Sequence, residues 1–498
     1  MSSSQYVLAL DLGTTGNRAI LFNASGTVTG QAYKELPQHY PQPGWLEHDA
    51  MEIWQDTREM IQQVLTETQT KATDIAAIGL TVQRETCLLW DKTTGQPLHK
   101  AIVWQDRRTA PLCNQLKARG KASEIQERTG LVLDAYFSAT KLAWLRDKIQ
   151  AEQLDVNPDN ILAGTIDTWI LWNLTGGQVH ATDHSNASRT MLMNIGSHAW
   201  DEELLNLFEI PAGWMPEIKP SMGVFGMSDP AVLGAEIPIA GIFGDQQAAL
   251  FAHGCDRLGL LKCTYGTGCF LVAQMGETVA RSSQQLLSTV AWTTPEKTFY
   301  ALEGAMFTTG ACIQWLRDGI KLIQSAAETA ALAESVADNN GVYFVPALSG
   351  LGAPHWDMNA RGSFQGITGG VQREHMVRAV LEAIAYQVKE VVNAMNADAQ
   401  SPISLLKVDG GASQNDWLMQ FQADVLGIPV ERPVILDATA QGAAFGAGLA
   451  VGFWSDYAGL IAQRKVERVF EPGSGQVQAQ ASFNTWLRAV ERAKGWVA

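Results

Sequence analysis

Two segments of the chain, about half its length apart, resemble each other: residues 7–14 and residues 260–267. Each is an apolar run that leads directly into a glycine–threonine pair, at Gly13 and at Gly266. Chance is one explanation, because strands that end in a glycine turn are common. The other is a duplicated domain, in which each copy offers its turn to a ligand held between the copies. We favour duplication and place the two domains at residues 1–253 and 254–498.

The length and charge of the chain restrict its class. A chain of 498 residues exceeds one simple core and indicates two or three domains. Its contents of 46% hydrophobic and 17% charged residues are typical of a folded globular protein. The net charge of −15 argues against binding to nucleic acid or to an anionic membrane. An anionic ligand is still possible, since backbone N–H groups and one arginine can hold a phosphate.

The sequence also bears on location. The segment Met1–Gln5 has no basic region and leads at once into Tyr6–Leu10, which argues against a signal peptide. No run approaches the roughly 20 apolar residues of a membrane span. The six cysteines form no C-x-x-C pair, so we expect buried thiols rather than a metal site or disulfides. We therefore predict a cytoplasmic enzyme.

Short apolar runs, turn residues and helical spacing predict a mixed α/β chain. The opening segment indicates an antiparallel meander with reversals at Gly13 and Gly26, and Asp49 is placed to cap a helix whose apolar face extends to Leu65. The predicted strands are residues 6–11, 18–23, 27–35, 75–80 and 405–409, and a helix of small residues is predicted at 440–451.

The first candidate site is the turn after the first strand. Gly13 permits a tight turn that bares backbone N–H groups, and Thr14 and Thr15 add hydroxyl donors. Arg18 supplies a cation for phosphate, and Asp11 is placed to hold Mg²⁺ directly or through water. The alternative is an ordinary hairpin with polar residues.

The three other candidate sites each have a purely structural alternative. Asp245, between Gly244 and Gln246, suits a base that reaches into a cleft, but it could simply cap the next helix. Arg84 and Glu85 could bracket a polyol, or form a surface ion pair of little energetic value. The run 408–413, followed by Asn415, could approach a flat base or a phosphate, or be a tight connection in which Ser413 caps a helix. No phosphate loop of the G-x-x-x-x-G-K-[ST] type and no protein-kinase H-R-D or D-F-G motif is present.

In this order, the motifs resemble those of the FGGY carbohydrate kinases, within the actin, hexokinase and Hsp70 superfamily. The similarity extends from about Tyr6 to Trp454 and includes both family signatures, at Tyr136–Leu145 and at Gly362–Glu382. Several stretches resemble the members that act on glycerol: residues 83–86, 101–105, 167–172, 186–192, 244–250, 265–270 and 303–304. The resemblance implies an α/β fold of two ribonuclease-H-like (actin-like ATPase) domains around a deep interdomain cleft.

The resemblance also implies a reaction: ATP and Mg²⁺ would phosphorylate glycerol to sn-glycerol 3-phosphate, with Asp245 as general base. The residues that would bind the glycerol hydroxyls are Arg84, Glu85, Tyr136, Asp245 and Gln246, with Trp104 and Phe270 as walls. The residues that would contact the nucleotide are Thr14, Thr15, Gly16, Arg18, Thr267, Gly310, Gln314, Gly411 and Asn415, while Asp11 would serve Mg²⁺. A homodimer and a homotetramer are both compatible with the resemblance.

Some positions depart from the family pattern. Where many glycerol-specific members have a glutamine and two serines in the first turn, this chain has Leu12, Gly16 and Asn17. The segment Met227–Ile237 lacks the glycine-rich, basic loop that binds fructose-1,6-bisphosphate in some bacterial members. No histidine lies between His198 and His253 to match the activating phosphohistidine of some Gram-positive members.

Three other functions compete with glycerol phosphorylation. A kinase for another small polyol or ketopentose belongs to the same family, but the pattern of residues 83–85 with Trp104 favours glycerol. A nucleotide-gated switch of the Hsp70 or actin kind would need a further binding module. A catalytically silent binding protein would be expected to lack Asp11 or Asp245, and both are present.

Overall fold

A computed structural model describes residues 5–497. Residues Met1–Ser4, on which the prediction that there is no signal peptide mainly depends, lie outside the described residues. Runs of strands are interleaved with helices along the described part, and two large sheets dominate it.

The strands are, in chain order, β1 (Tyr6–Leu12), β2 (Gly16–Asn23), β3 (Val28–Glu35), β4 (Glu47–His48), β5 (Ile75–Val82), β6 (Cys87–Asp91), β7 (Gln96–Pro97), β8 (Ala101–Ile102), β9 (Ile161–Thr165), β10 (Ala181–Asp183) and β11 (Glu217–Lys219). They continue with β12 (Met222–Met227), β13 (Pro238–Gly244), β14 (Leu260–Tyr265), β15 (Cys269–Gly276), β16 (Leu287–Thr293), β17 (Thr298–Met306), β18 (Tyr343–Val345), β19 (Ser363–Gln365), β20 (Leu405–Asp409), β21 (Val430–Pro433) and β22 (Val466–Phe470).

The helices are α1 (Ala50–Glu67), α2 (Ala110–Ala118), α3 (Ala122–Thr129), α4 (Ser138–Glu152), α5 (Ile166–Leu174), α6 (His184–Ala187), α7 (Glu202–Leu207) and α8 (Pro230–Leu233). They continue with α9 (Asp245–Ala252), α10 (Gly310–Gln314), α11 (Glu328–Glu334), α12 (Arg373–Asp398), α13 (Asp416–Leu426), α14 (Ala438–Ala450), α15 (Tyr457–Ala462) and α16 (Gln476–Ala493).

The first sheet has the strand order β12-β13-β5-β1-β2-β3. Strands β1, β2 and β3 form the predicted antiparallel meander, β5 pairs in parallel with β1, and β13 pairs in parallel with β5. Gly26 makes the second reversal with φ +69°, a left-handed conformation that glycine adopts without strain. The sequence prediction of this segment is confirmed.

The second sheet repeats this plan, with the order β16-β17-β15-β14-β20-β21-β22. Strand β14 takes the place of β1: it pairs antiparallel with β15 and parallel with β20, as β1 does with β2 and β5. The two segments that resemble each other in sequence therefore hold equivalent positions in two equivalent sheets. The fold class, two ribonuclease-H-like domains in an actin-like arrangement, is confirmed, while the division at residue 253 stays a prediction.

Helix α1 covers the first sheet and illustrates how the sequence specifies an element. Asp49 accepts hydrogen bonds from the N–H groups of Met51 and Glu52, as its capping position predicts. The predicted apolar stripe is buried from Ile53 to Val64, because residues three and four apart share one face of a helix.

Helices α9 and α14 lie between the two sheets. Helix α9 follows β13 directly and contacts β14, β15 and β16, while α14 packs against β5, β13 and β1 of the first sheet. The two helices touch where a Cβ on Gly442 would lie 1.9 Å from the carbonyl oxygen of Ala248. A glycine is therefore required for this close approach.

A smaller sheet, in which β4, β8, β6 and β7 are neighbours and β9 pairs with β6, extends the first half of the chain. Its core includes Tyr136 and Phe137, with Trp104 packed against it. It therefore places aromatic side chains beside the ends of the large sheets. None of the helices between residues 5 and 497 combines the length and apolar character that crossing a membrane requires.

Candidate active site

The turn after β5 carries two buried, oppositely charged side chains. The Thr86 N–H donates to the Arg84 carbonyl at 2.7 Å, and Glu85 between them has φ +63°. A non-glycine residue in this region is strained and persists where its surroundings fix it, commonly at functional sites. Arg84 is 3% exposed and Glu85 is 2% exposed. The alternative of a surface ion pair is therefore wrong.

Asp245 faces Arg84. It is the first residue of α9, and Gly244 holds the cap position before the helix. Its Oδ1 lies 3.0 Å from Arg84 Nε and accepts from the Gln246 N–H at 2.7 Å. The side chain thus bonds one N–H of the first helical turn, but capping does not account for its contact with Arg84. About a quarter of the Asp245 side chain remains exposed.

Two further charged residues complete a buried network. Glu303 on β17 accepts from Arg84 Nη1 at 2.5 Å, and from Arg189 Nη2 at 2.9 Å. Arg189 Nε in turn donates to Glu85 at 2.7 Å. Burial by itself would raise the pKa of Glu303, but Arg189 and Arg84 outweigh it and hold that pKa below its ordinary value. Glu303 is therefore a buried anion.

Sequence reasoning assigned no role to Glu303 or Arg189. The signal was present, since Glu303 is a lone acid in an apolar strand, and fully buried charges are rare unless they are paired. The partner could not be read from the sequence, because Arg84 lies in the first half of the chain. Lys262 on β14 was missed for the same reason: it is fully buried and donates to Gln246 and to Thr264.

Three aromatic rings form one wall of the site. Trp104 lies edge-on to Tyr136, with ring centres 5.4 Å apart, and to Phe270, at 5.9 Å. The Phe270 ring also lies 5.8 Å from the Arg84 guanidinium. A cavity of about 400 Å³ opens beside Trp104 and Tyr136, and its lining does not include Arg84 or Asp245. The predicted polyol residues therefore come together around an aromatic wall.

The first glycine–threonine turn lies next to this wall. Thr14 accepts a hydrogen bond from Trp104 Nε1 at 2.9 Å, and Thr15 is exposed. A Cβ on Gly16 would lie 2.4 Å from the Tyr33 ring, so the glycine leaves space for that ring. Gly16, where many glycerol-specific family members have a serine, therefore lies against the Tyr33 ring.

Asp11 and Arg18 flank the first turn and both contact the segment before and within α14. Arg18 pairs with Asp437 at 2.5 Å, and Asp11 accepts from Thr439 at 2.7 Å. Burial raises the pKa of Asp11 to about 6. The second half of the chain therefore contacts the residues on both sides of the first glycine–threonine turn.

The second turn approaches helix α10. The N–H of Gly310 donates to the carbonyl of Gly266 at 3.0 Å, and the N–H of Ala311 donates to the carbonyl of Thr267 at 3.1 Å. A Cβ on Gly310 would lie 2.5 Å from the Gly266 oxygen, which explains the glycine. Gln314, at the end of α10, is exposed.

The run after β20 has one close approach and one open position. A Cβ on Gly410 would meet the backbone of Tyr265 at 2.5 Å, whereas a Cβ on Gly411 would meet nothing within 4 Å. Asn415 caps α13 by accepting from the Leu418 N–H, and its amide nitrogen donates to Thr329. The prediction that Ser413 caps this helix is wrong, because its hydroxyl bonds back to Gly410 instead.

Two corresponding sheets, each leading into a glycine–threonine turn and joined by one buried charged network, define a two-domain ATPase of the actin-like class. Residues 6–252 and 261–451 match the N-terminal and C-terminal domains of the FGGY family of carbohydrate kinases. The chain belongs to this family.

Known proteins resemble the chain over its full length. It is 69% identical over 500 residues to a glycerol kinase of Acaryochloris marina, covering 100% of both chains. A crystal structure of Plasmodium falciparum glycerol kinase with ADP is 34% identical with a TM-score of 0.89, covering 99% of both chains. A ligand-bound xylulose kinase from Lactobacillus acidophilus has a TM-score of 0.88 at 23% identity over 98% of both chains, which shows the shared fold.

Proposed function

We propose that this protein transfers the terminal phosphoryl group of ATP to a terminal hydroxyl of glycerol, giving sn-glycerol 3-phosphate and ADP. The observation that carries the proposal is the position of Asp245, partly exposed beside the aromatic wall and fixed by the buried Arg84. The full-length similarity to glycerol kinases and to an ADP-bound structure supports both substrates.

Glycerol has three hydroxyls on a short carbon chain, and the proposed site offers matching groups. Arg84 would donate to the hydroxyls and Glu85 would accept from them, with Tyr136 and Gln246 completing the set. Trp104 and Phe270 would pack against the carbon chain. A site built to hydrogen-bond hydroxyls rejects ligands that leave its buried groups unpaired.

Asp245 would act as general base. Its Oδ1 is engaged by Arg84 and by the Gln246 N–H, while its Oδ2 has no hydrogen-bond partner within residues 5–497. We assign to Oδ2 the proton of the attacking hydroxyl. The hydroxyl oxygen forms the new bond to phosphorus as the bond from phosphorus to the ADP oxygen breaks, and ADP leaves with that electron pair.

The nucleotide would lie between the two glycine–threonine turns. Thr14, Thr15, Gly16 and Arg18 of the first turn and Thr267 of the second would hold phosphate oxygens. Gly411 leaves open space for a flat base, and we assign Gly310, Gln314 and Asn415 to the same nucleotide. Phosphoryl transfer depends mainly on such positioning and charge stabilisation.

We assign Mg²⁺ to this arrangement, with Asp11 as the residue that would hold it. No group of three or more histidine, cysteine or acidic side chains that could hold a metal ion converges within residues 5–497. Kinases commonly bind Mg²⁺ through one or two carboxylates together with phosphate oxygens and water, rather than through an all-protein cage. When bound, the ion would neutralise charge on the phosphates.

Among glycerol, dihydroxyacetone, xylulose, ribulose and ribitol, we expect glycerol to have the highest kcat/KM, by about tenfold or more. Coupled measurement of ADP release with each substrate at saturating MgATP tests this. A pentulose preferred by about tenfold or more would reassign the chain to another activity of the same family.

We also expect fructose-1,6-bisphosphate to leave the activity unchanged. In place of a glycine-rich basic loop, the segment 227–237 contains the short helix α8, capped by Asp229. Asp229 and Glu236 repel phosphate, and Pro230 has no N–H to donate. Activity measured at millimolar effector, constant ionic strength and several protein concentrations tests this. Saturable inhibition that disappears when residues 227–237 are changed would contradict it.

A further inference from the structure

We propose that Glu303 is a positioning residue for the phosphoryl transfer, which holds Arg84 in the orientation that serves both the substrate and Asp245. This inference rests on the proposed function. It assigns a role to a residue in the second half of the chain that does not itself reach the substrate.

The Arg84 guanidinium is held on both of its donor edges. Nη1 and Nη2 donate to the two oxygens of Glu303, at 2.5 and 3.2 Å, while Nε lies 3.0 Å from Asp245. A bidentate arginine–carboxylate pair fixes the plane of the guanidinium as well as its position. Glu303 therefore determines the direction in which Arg84 presents its Nε to Asp245.

Glu303 also acts on the second charged residue of the turn. Arg189 Nη2 donates to Glu303 at 2.9 Å, and Arg189 Nε donates to Glu85 at 2.7 Å. Both Arg84 and Glu85 are thus connected to Glu303, one directly and one through Arg189. The strained backbone at Glu85 is consistent with a turn fixed from outside.

Burial separates the role of Glu303 from that of a binding group. Its side chain is fully buried, and both of its oxygens already accept hydrogen bonds. Asp245, by contrast, keeps about a quarter of its side chain exposed. Glu303 therefore acts through Arg84 and Arg189 and does not contact the reacting atoms.

The charges explain why an anion is needed at this position. Two arginines, Arg84 and Arg189, are buried with two glutamates, Glu85 and Glu303, and Glu303 is the carboxylate that pairs with both arginines. Without the charge of Glu303, Arg84 would keep Asp245 as its nearest carboxylate and Arg189 would keep Glu85, so the two buried guanidiniums would lose the carboxylate that they share. Because Glu303 lies on β17 and Arg84 follows β5, the pair also fixes the two sheets relative to each other at the reacting centre.

The test is Glu303→Gln, which keeps the shape of the side chain and removes its charge. We expect kcat/KM for glycerol to fall on the order of 10- to 100-fold, with a higher KM for glycerol, while the KM for ATP changes by less than about twofold. The matched control is Glu382→Gln. Glu382 is likewise buried in the second half and paired with an arginine, Arg378 at 2.8 Å. It should lower the thermal midpoint and leave the KM for glycerol unchanged.

A double-mutant cycle with Arg84→Ala separates positioning from general destabilisation. If Glu303 acts through Arg84 as well as through Arg189, the double variant loses less kcat/KM than the two single losses combined. Additive losses, or a lower thermal midpoint with unchanged kinetics, would overturn the inference.

Glu303→Asp replaces Glu303→Gln if circular dichroism and calorimetric ATP binding show that Glu303→Gln does not fold. The shortened carboxylate should fold and still raise the KM for glycerol. Wild-type kinetics of Glu303→Asp would overturn the inference. Absence of glycerol phosphorylation by the wild-type protein would instead reject the proposed function.

Discussion

Asp245→Asn is expected to fold and to bind ATP, and its kcat should be lower by a factor of roughly 10² to 10⁴, which is the range of a general-base contribution. Asparagine keeps the size of the side chain and one oxygen to accept from Arg84 and from the Gln246 N–H. It lacks a second carboxylate oxygen to accept the proton of the substrate hydroxyl. The loss should therefore fall on kcat, with a smaller change in the KM for glycerol.

A matched control for this variant is Asp201→Asn. Asp201 also stands at the start of a helix and pairs with an arginine, Arg128 at 3.1 Å, yet it is not among the residues assigned to the active site. Asparagine is a good helix cap, so this variant should keep both its stability and its kcat. Steady-state kinetics and calorimetric ATP binding, measured on both variants, test whether Asp245 acts as the general base. Near-normal turnover of Asp245→Asn would leave Asp245 with a structural role only.

Gly442→Ala is expected to lower the free energy of unfolding by about 3 kcal/mol, the upper end of the usual cost of overpacking. The added Cβ would lie 1.9 Å from the Ala248 carbonyl oxygen, and a backbone atom in a packed helix cannot easily move aside. Helices α14 and α9 would have to separate. Because α9 begins with Asp245, kcat/KM should fall as well.

Urea denaturation and steady-state kinetics measure the two effects of Gly442→Ala. Gly213→Ala is the control, since Gly213 lies in a short helical turn and a Cβ there would meet nothing within 4 Å. Its stability should stay within about 0.5 kcal/mol of wild type. Equal stability of the two variants would mean that α9 and α14 separate without cost, contrary to the close packing described above.

Much of the fold could be predicted because its signals are local. The meander of β1–β3, the cap at Asp49 and the strand β20 each follow from neighbouring residues. The equivalence of β1 and β14 was visible as similar residues in similar order. Local reasoning failed at Ser413, because two residues compete for one cap and the backbone after Gly410 turns the Ser413 hydroxyl away.

The candidate site was only partly predictable, for a different reason. Arg84, Glu85 and Asp245 stand next to strand ends, where functional side chains concentrate. The family resemblance predicted Trp104 and Phe270 as walls and Tyr136 as a hydroxyl-binding residue. Glu303 and Arg189 contact that set from other elements, and a buried ion pair leaves no mark of its partner in the sequence. Their pairing became visible only in three dimensions, where two distant segments share one low-dielectric space.

Helix α14 belongs to the second half of the chain but packs against the first sheet, and this has a consequence for the synthesis of the protein. The face of the first sheet is shaped for this helix, since a Cβ on Gly79 would lie 2.2 Å from the carbonyl oxygen of Ala443. That sheet ends at residue 244, but the helix that covers it begins at residue 438. At bacterial and eukaryotic rates of synthesis, the interval is on the order of 10 to 40 s. During this interval, the nascent first half has an apolar sheet surface that α14 does not yet cover. The first half can therefore complete its folding only after the second half has left the ribosome.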